Sequence, residues 1–208
     1  MGSLHVVDHP VLRQAMSTLR AAQTDRPAFR VAMADAAAML AYEALRELET
    51  TPVRVTSPLE ETEGERLARP VAVVAILRAG LAMVDGFLRL VPDAAVGHLG
   101  MRRNEQTLQP ESYYESIPAD IAHATVFVTD PMLATGGSAV AALGRLREVG
   151  ATDLRLVCLL AAPEGVARVQ DRHPDVPIVT ASLDRGLDDR GFIRPGLGDA
   201  GDRTFGTE

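Results

Sequence analysis

The chain has 208 residues, 47% of them hydrophobic, a formal net charge of −7 and no lysine, so all 21 basic residues are arginine. Its apolar runs are too short to cross a bilayer, and its acidic balance argues against sequence-independent nucleic-acid binding. The absence of lysine excludes a Walker lysine and Schiff-base chemistry, and the single cysteine, Cys158, excludes an intrachain disulfide. We expect one cytoplasmic domain, residues 1–208, that binds neither nucleic acid nor a membrane.

The first third of the chain predicts two helices and a surface excursion. Asp8-His-Pro10 precedes apolar residues at helical spacing, which predicts a capped amphipathic helix with proline in its first turn. An alanine-rich run from Pro27 to about Glu49 predicts a second, longer helix. The charged stretch from Thr51 to Arg69 contains two prolines and a glycine. We expect this stretch to lie on the surface with one short extended piece, residues 53–55.

Two predicted strands then lead into polar segments. Pro70 to Leu77 is a continuous apolar run that ends at Arg78-Ala-Gly80 and precedes a predicted helix, residues 81–90. Because ligands bind beyond the carboxyl ends of strands in open α/β sheets, Arg78 is a candidate ligand-binding residue. A short strand predicted at residues 94–100 is followed by the polar stretch 101–110. The tyrosines that follow, Tyr113 and Tyr114, are expected to begin the returning strand of a hairpin.

The stretch from Val126 to Ser138 carries the strongest local signal. Val126 to Val128 has the β-branched and aromatic pattern of a central parallel strand, and Asp130 stands at its carboxyl end. A small-residue loop, Ala134 to Ser138, then precedes a predicted helix, residues 139–149. The amino end of a helix next to glycines is suited to bind a phosphate. Taken alone, the loop is equally compatible with an ordinary helix-capping turn.

The last part of the chain continues the alternation of strand and helix. Residues 153–162 predict a strand, 163–172 a helix and 176–181 a final strand. This order predicts an α/β fold, with a mostly parallel sheet flanked by helices. The glycine-rich tail from Leu183 to Glu208 has the composition of a frayed terminus, but its mixture of apolar anchors, acids and turns argues for an ordered segment.

Four segments of the chain resemble, in the same order, the motifs of the uracil phosphoribosyltransferases, a branch of the type I phosphoribosyltransferase family. They are Ile76-Leu-Arg-Ala-Gly-Leu81, Met101-Arg-Arg-Asn-Glu105, Asp130-Pro-Met-Leu-Ala-Thr-Gly-Gly-Ser138 and Pro195-Gly-Leu-Gly-Asp-Ala-Gly-Asp202. The resemblance implies the type I phosphoribosyltransferase fold, with a flexible hairpin arm that closes over the substrate and a C-terminal base-binding hood, residues 183–208. It also implies pyrimidine salvage, in which the 5-phosphoribosyl group of phosphoribosyl pyrophosphate (PRPP) is transferred to N1 of uracil, giving UMP and pyrophosphate.

The resemblance implies roles for single residues. Asp130 contacts the ribose hydroxyls, and the guanidinium groups of Arg78 and Arg103 neutralise pyrophosphate. Asp199 lies near both substrates, where it orients the donor and its magnesium or helps N1 lose its proton, and the two roles stay open. The implied catalytic residues are Asp130, Asp199 and Arg103. The implied PRPP-binding residues are Arg78, Arg103, Asp130, Pro131, Met132, Leu133, Ala134, Thr135, Gly136, Gly137, Ser138 and Asp199. The implied uracil-binding residues are Ile193, Gly198, Asp199 and Ala200.

Further expectations follow from the same resemblance. Mg²⁺ arrives mainly on PRPP, and no dedicated metal site is expected, because this ion keeps several waters and needs only one or two carboxylates. A homodimer or higher homo-oligomer is implied, while a GTP effector and inhibition by UMP or CTP stay open. Phe192 stands where the family commonly has tyrosine, so it is left out of the site. The alternative function is a regulatory protein of this fold that binds a nucleotide or RNA without turnover.

Overall fold

The computed structural model describes residues 2–103 and 110–207, and in this part of the chain six α-helices accompany a parallel sheet. In chain order the elements are β1 (Leu4–Val6), α1 (Pro10–Arg20), α2 (Arg26–Ala44), β2 (Thr50–Thr56), β3 (Glu61–Leu67), β4 (Val71–Leu77), α3 (Leu81–Leu88), β5 (Ala95–Arg103), β6 (Pro110–Ser116), a 3-10 turn (Ile121–His123), β7 (Thr125–Thr129), β8 (Met132–Leu133), α4 (Gly137–Glu148), β9 (Asp153–Ala161), α5 (Pro163–Arg172), β10 (Ile178–Leu183), β11 (Gly186–Leu187), β12 (Ile193–Arg194) and α6 (Ala200–Phe205).

The main sheet has the strand order β1-β10-β9-β7-β4-β5-β6, and the short β8 also pairs with β9. Its strands are parallel except β6, which runs antiparallel to β5. The predicted α/β fold with a mostly parallel sheet is therefore confirmed. Strands β4 and β7 are apolar at successive positions because helices cover both faces of the sheet, so neither face meets water.

The two faces of the sheet carry two hydrophobic clusters, and alternate residues of β7 contribute to each. Phe127 faces the cluster under α1, α2 and α3, where its ring centroid lies 5.0 Å from that of Phe87. Val126 and Val128 face the opposite cluster, which is built with α4 and α5. None of the helices in the described ranges is both long enough and apolar enough to cross a membrane.

The structure differs from the sequence predictions in the first third of the chain. Helix α2 ends at Ala44 rather than near Glu49, and the predicted excursion is an antiparallel hairpin of β2 and β3. The hairpin is held by cross-strand pairs, such as the hydrogen bond of 2.9 Å from Thr50 Oγ1 to Glu65 Oε2. Because most residues of β3 are charged and exposed on both faces, its sequence has no alternation of apolar and polar residues that would predict a strand.

The arm is a hairpin as predicted, but β5 extends to Arg103 rather than Gly100, and β6 begins at Pro110 rather than at Tyr113. Strand β6 returns antiparallel to β5, with Tyr114 opposite Gly100, as expected for a hairpin arm. Residues 104–109 lie outside the described residues. The tail forms the β11–β12 hairpin and α6, and its residues Ile193, Leu197 and Ala200 belong to the cluster under α1 and α2. Apolar anchors therefore order the tail despite its glycines.

Candidate active site

The carboxyl ends of β4 and β7 bring the Arg78 turn and Asp130 side by side. The two strands are parallel neighbours, with Ala75 opposite Thr129. The hydroxyl of Thr129 donates to the Gly80 carbonyl oxygen over 3.2 Å. A Cβ atom added to Gly80 would lie 2.3 Å from the Thr129 carbonyl oxygen, so only glycine permits this approach. The peptide bond that precedes Arg78 is cis.

Asp130 is a half-buried acid at this junction. Its backbone N–H donates to the Val157 carbonyl oxygen over 3.2 Å, and its Oδ1 accepts from the Met132 N–H over 3.3 Å. Burial raises the pKa of Asp130 to about 7, the Met132 N–H opposes this rise, and the nearby Asp199 carboxylate adds to it. Two predicted catalytic acids, Asp130 and Asp199, therefore lie close enough for their charges to interact.

The loop after Asp130 ends at an open helix terminus. Met132 and Leu133 form β8, which pairs with β9, and α4 begins at Gly137 after Gly136, which adopts a left-handed conformation with φ of 73°. No side chain in the described ranges caps this end of α4. The loop is therefore not an ordinary side-chain-capped turn, and the N–H groups at the amino end of α4 are suited to bind an anion.

The same loop packs closely on the start of α5. A Cβ atom added to Gly136 would lie 2.9 Å from the Gly165 carbonyl oxygen, and one added to Gly165 would lie 2.4 Å from the Ala134 carbonyl oxygen. Arg168 Nη1 also donates to the Thr135 carbonyl oxygen over 3.3 Å. These close contacts between the loop and the start of α5 support the path of the loop.

Arg78 connects the β4 junction to the tail. Its Nη1 donates to Thr207 Oγ1 over 2.8 Å and its Nη2 to Asp202 Oδ1 over 3.1 Å. Thr207 Oγ1 in turn donates to Asp202 Oδ1 over 2.8 Å. Because 55% of the Arg78 side chain is exposed, its guanidinium group is accessible from solvent while it holds these partners. The sequence did not predict this use of Asp202 and Thr207.

The tail covers the junctions at two points. Asp199 caps α6 by accepting from the Asp202 N–H over 2.9 Å, and a Cβ atom added to Gly201 would lie 3.7 Å from Ala79 Cβ. At the other end, a Cβ atom added to Gly191 would lie 3.7 Å from Thr135 Cγ2. The tail therefore contacts the Arg78 turn and passes close to the loop that precedes α4.

The remaining predicted base-binding residues lie in the tail between these two contacts. Ile193 and Ala200 are buried, and Gly198 has a φ of 83° that favours glycine. Phe192, left out of the predicted site, is 48% exposed, and its N–H donates to Asp188 Oδ1 over 2.9 Å. The backbone of Arg103 ends β5, but its side chain lies outside the described part of the chain.

Some residues at the site were missed by the sequence analysis. Asp202 follows Asp199 by three residues, which is the spacing of a helix N-cap and the residue whose N–H it accepts from. This pattern could have placed Asp202 in the first turn of a helix next to Asp199. By contrast, no local pattern could reveal that Arg20 of α1 contacts Asp184 after β10, because 164 positions separate the two residues. No three His, Cys, Asp or Glu side chains of the described ranges group closely enough to hold a metal ion.

Comparisons with known proteins agree with the geometry. The model of the uracil phosphoribosyltransferase family matches residues 6–207. The uracil phosphoribosyltransferase of Salinibacter ruber is 57% identical over 207 residues, covering 100% of this chain and 99% of that protein. That of Deinococcus radiodurans is 52% identical, covering 98% of this chain and 97% of that protein.

Solved structures show the same fold. The AQ2163 protein from Aquifex aeolicus superimposes with a TM-score of 0.93 at 34% identity and covers 99% of both chains. The purine phosphoribosyltransferase from Pyrococcus horikoshii, with a TM-score of 0.51 at 16% identity over 73% of this chain and 82% of that one, shares the fold alone. With a family match over almost its whole length and relatives more than half identical, this chain belongs to the uracil phosphoribosyltransferase family.

Proposed function

We propose that this protein transfers the 5-phosphoribosyl group of PRPP to N1 of uracil, forming UMP and pyrophosphate. The observation that carries the proposal is the meeting of four features at one end of the sheet. These are the accessible guanidinium group of Arg78, the acid Asp130, the open amino end of α4 and the buried tail around Ile193. Membership in the family supports the choice of uracil and PRPP.

The donor fits the β4 and β7 junctions. The 5-phosphate binds at the loop from Ala134 to Ser138, where the helix N–H groups carry partial positive charge. When the bond at the anomeric carbon breaks, the ribose gains positive character and the departing pyrophosphate gains negative charge. The carboxylate of Asp130 then faces the ribose hydroxyls, and Arg78 and Arg103 bind the pyrophosphate through their guanidinium groups.

The acceptor fits the tail. A flat pyrimidine requires backbone donors and acceptors at close range, and the backbone of Ile193, Gly198 and Ala200 supplies them at a glycine-rich turn. Asp199 follows Gly198 directly as the N-cap of α6, and its charge contributes to the raised pKa of Asp130, which supports a place near both substrates. Both of its roles, orientation of the donor and acceptance of the N1 proton, are compatible with this position.

Mg²⁺ is the proposed cofactor, and the residues present fit it. Asp130 lies at the carboxyl end of β7, and the charge of Asp199 contributes to its raised pKa, so these two carboxylates are the ones that would hold the ion. One or two carboxylates together with substrate phosphates are the usual protein environment of this ion. When bound with PRPP, Mg²⁺ neutralises charge on the diphosphate, while Asp130 and Asp199 orient the donor.

A homodimer or higher homo-oligomer is also proposed. An apolar groove of about 460 Å³ lies between the end of α2, β3 and the segment after α3, and it is lined by Tyr42, Leu45, Arg46, Leu48, Leu67, Leu90 and Val91. Tyr42 is 60% exposed and Leu90 44% exposed, which leaves apolar area for a second subunit to cover. Light scattering on purified protein measures the assembly. A GTP effector, a cytoplasmic location and a single domain for residues 1–208 stay predictions.

The test of the function is product formation. Purified protein incubated with PRPP, Mg²⁺ and uracil is expected to release pyrophosphate and form UMP, measured by chromatography. Cytosine and hypoxanthine, offered under the same conditions, are expected to give no nucleotide. Absence of UMP at high enzyme concentration would contradict the proposal, and binding of PRPP or UMP without turnover would support the regulatory alternative. GTP added to the same assay tests whether it acts as an effector.

A further inference from the structure

A buried ion pair holds both backbone groups of Gly196. The carboxylate oxygen Oδ2 of Asp184 accepts from the Gly196 N–H over 2.9 Å, and Arg20 Nη1 donates to the Gly196 carbonyl oxygen over 3.0 Å. The same guanidinium group bonds Asp184 in a fork, with distances of 2.8 Å and 2.5 Å. Gly196 is thus fixed through its donor and its acceptor at once.

Asp184 remains charged despite its burial. Its side chain is only 3% exposed, against 26% for that of Arg20. Burial alone would raise the pKa of Asp184, but hydrogen bonds from Arg20, the Gly196 N–H and Ser182 outweigh that effect and lower it. Its backbone N–H donates to the Ala161 carbonyl oxygen over 2.8 Å, which ties the pair to the end of β9. The ion pair is therefore anchored to the sheet as well as to α1.

A second arginine holds the next carbonyl group of the tail. Arg203 Nη1 donates to the Leu197 carbonyl oxygen over 2.7 Å, and its Nη2 donates to the Ala21 carbonyl oxygen over 2.8 Å. The Leu19 carbonyl oxygen also accepts from Arg203, whose guanidinium group lies 4.3 Å from the ring centroid of Phe29. Two successive carbonyl groups, those of Gly196 and Leu197, are therefore bound by arginines, Arg20 at the end of α1 and Arg203 of α6, which itself bonds the carbonyl groups at the end of α1.

The fixed residues form a tight turn. Gly196 has a φ of 66°, and a Cβ atom added to it would lie 2.2 Å from the Ile193 carbonyl oxygen. Ile193 and Gly198, on either side of this turn, are the residues whose backbone is assigned to the base under the proposed function. Recognition through backbone groups tolerates little displacement, because a shift of about 1 Å lengthens the hydrogen bonds beyond their useful range.

We infer that Arg20 and Asp184 are positioning residues for base recognition, which hold the turn between Ile193 and Gly198 in the shape that accepts a pyrimidine. The inference deepens the proposed function and rests on it. The ion pair acts on the acceptor side only, since the bonds it makes reach Gly196 and Ser182 rather than the donor loops. It predicts a selective loss of apparent affinity for uracil when the pair is broken.

Steady-state kinetics separate this role from a purely structural one. In Asp184→Asn the KM for uracil is expected to rise at least tenfold, while the KM for PRPP stays within twofold of the wild-type value. The matched control is Asp8→Asn, which breaks an exposed ion pair between Asp8 and Arg13 of the same helix and is expected to change neither constant. An unchanged uracil KM in folded Asp184→Asn, or equal rises in both constants, would overturn the inference.

A milder variant keeps the test decisive if Asp184→Asn does not fold. Arg20→Lys preserves the positive charge, but an ammonium group cannot reproduce the fork to Asp184 together with the bonds to Gly196 and Ser182. Its uracil KM is expected to rise at least threefold with the PRPP KM unchanged, and a wild-type uracil KM would overturn the inference. The wild-type protein is assayed first, because absence of UMP there refutes the proposed function rather than this inference.

Discussion

Asp130 is held where its ionised form is disfavoured, and this determines how activity depends on pH. Because burial raises its pKa to about 7, the free protein carries the neutral acid at low pH and the carboxylate at high pH. Contact with the ribose hydroxyls and with a developing positive charge requires the carboxylate. We expect kcat/KM for PRPP to fall about tenfold per pH unit below pH 7, since this ratio reports ionisations of the free enzyme.

The variant Asp130→Asn checks the assignment of that pH dependence. Its kcat/KM is expected to be at least tenfold below wild type at pH 8, the scale of a lost charged contact in the transition state, and to lose the inflection near pH 7. Rates measured from pH 5.5 to 8.5 on both proteins test this. A wild-type profile without an inflection near pH 7, or the same inflection in Asp130→Asn, would contradict the assignment to Asp130.

The ionisation of Asp130 is expected to lower the stability of the fold while it raises activity, so Asp130→Asn should be less active but more stable than the wild type. The pKa of Asp130 is raised from 3.8 to about 7, so well below pH 3.8 it is protonated in both the folded and the unfolded chain, and stability is lost as pH rises from there toward 7. Asparagine cannot ionise, so Asp130→Asn is expected to gain stability relative to wild type between pH 4 and pH 8. The gain is on the order of 1–4 kcal/mol, since one pKa unit corresponds to about 1.4 kcal/mol. Denaturant unfolding at pH 4 and pH 8 measures it, and an equal difference at both pH values would contradict it.

Among single residues, the sequence predicted those whose role depends on their neighbours in the chain and missed those whose partners are far away in the chain. Asp130 follows an apolar strand and precedes a small-residue loop, so its position at the carboxyl end of β7 could be predicted from its neighbours. The ion pair of Arg20 with Asp184 and that of Arg78 with Asp202 join positions 164 and 124 apart. Only the packing of the tail on α1 and on the β4 junction brings these residues together.

The loop before α4 shows how one element depends on its backbone conformation. Gly136 adopts a φ of 73° at the helix start, and a Cβ atom added there would lie 2.9 Å from the Gly165 carbonyl oxygen. Alanine in this conformation costs roughly 1–2 kcal/mol before any clash is counted. Gly136→Ala is therefore expected to lower the free energy of unfolding by at least about 1 kcal/mol and to raise the KM for PRPP tenfold or more.

Gly144 provides a matched control within the same helix. It lies in the interior of α4, and a Cβ atom added there meets no atom within 4 Å. Gly144→Ala is expected to raise the free energy of unfolding by about 0.5–1 kcal/mol, because alanine loses less backbone entropy in a helix, and to leave both KM values unchanged. Thermal unfolding and initial rates on the two variants test the pair. Equal effects at the two positions would contradict a conformational role for Gly136.

Elements with strong periodicity or buried apolar runs were predictable, whereas those stabilised by pairing alone were not. Strand β4 and helix α5 lie within one residue of their predicted bounds because burial on the sheet determines their sequences. Strand β1 has three residues, two of them exposed, and forms the edge of the main sheet by pairing with β10. The short α6 depends on the Asp199 cap and on contact with the Arg78 turn, so its sequence alone carries little helical signal.

In the whole molecule, the candidate site lies at the carboxyl ends of the strands, while the amino ends contribute to stability alone. Strand β7 has a buried threonine at each end, Thr125 at the amino end and Thr129 at the carboxyl end. Thr125 Oγ1 donates to Asp153 Oδ2 over 2.7 Å at the edge away from the candidate site. Thr129 Oγ1 donates to Gly80 O over 3.2 Å and so ties β7 to the Arg78 turn. The two hydroxyl groups therefore donate at opposite ends of one strand, Thr125 to a carboxylate and Thr129 to a backbone carbonyl group.

Because the candidate site lies at only one end of β7, the same substitution at the two ends is expected to affect PRPP binding differently. Thr129→Val is expected to lower the free energy of unfolding by about 1 kcal/mol, since it loses one neutral hydrogen bond, and Thr125→Val by about 1.5–3 kcal/mol, since it loses a hydrogen bond to a carboxylate. Only Thr129→Val is expected to raise the KM for PRPP, by threefold or more, because the Gly80 carbonyl group and the turn that carries Arg78 lose their support. Denaturant unfolding and PRPP kinetics on both variants decide the matter. A similar rise in KM from Thr125→Val would show that binding of the donor responds to general loosening of the sheet rather than to the junction at its carboxyl edge.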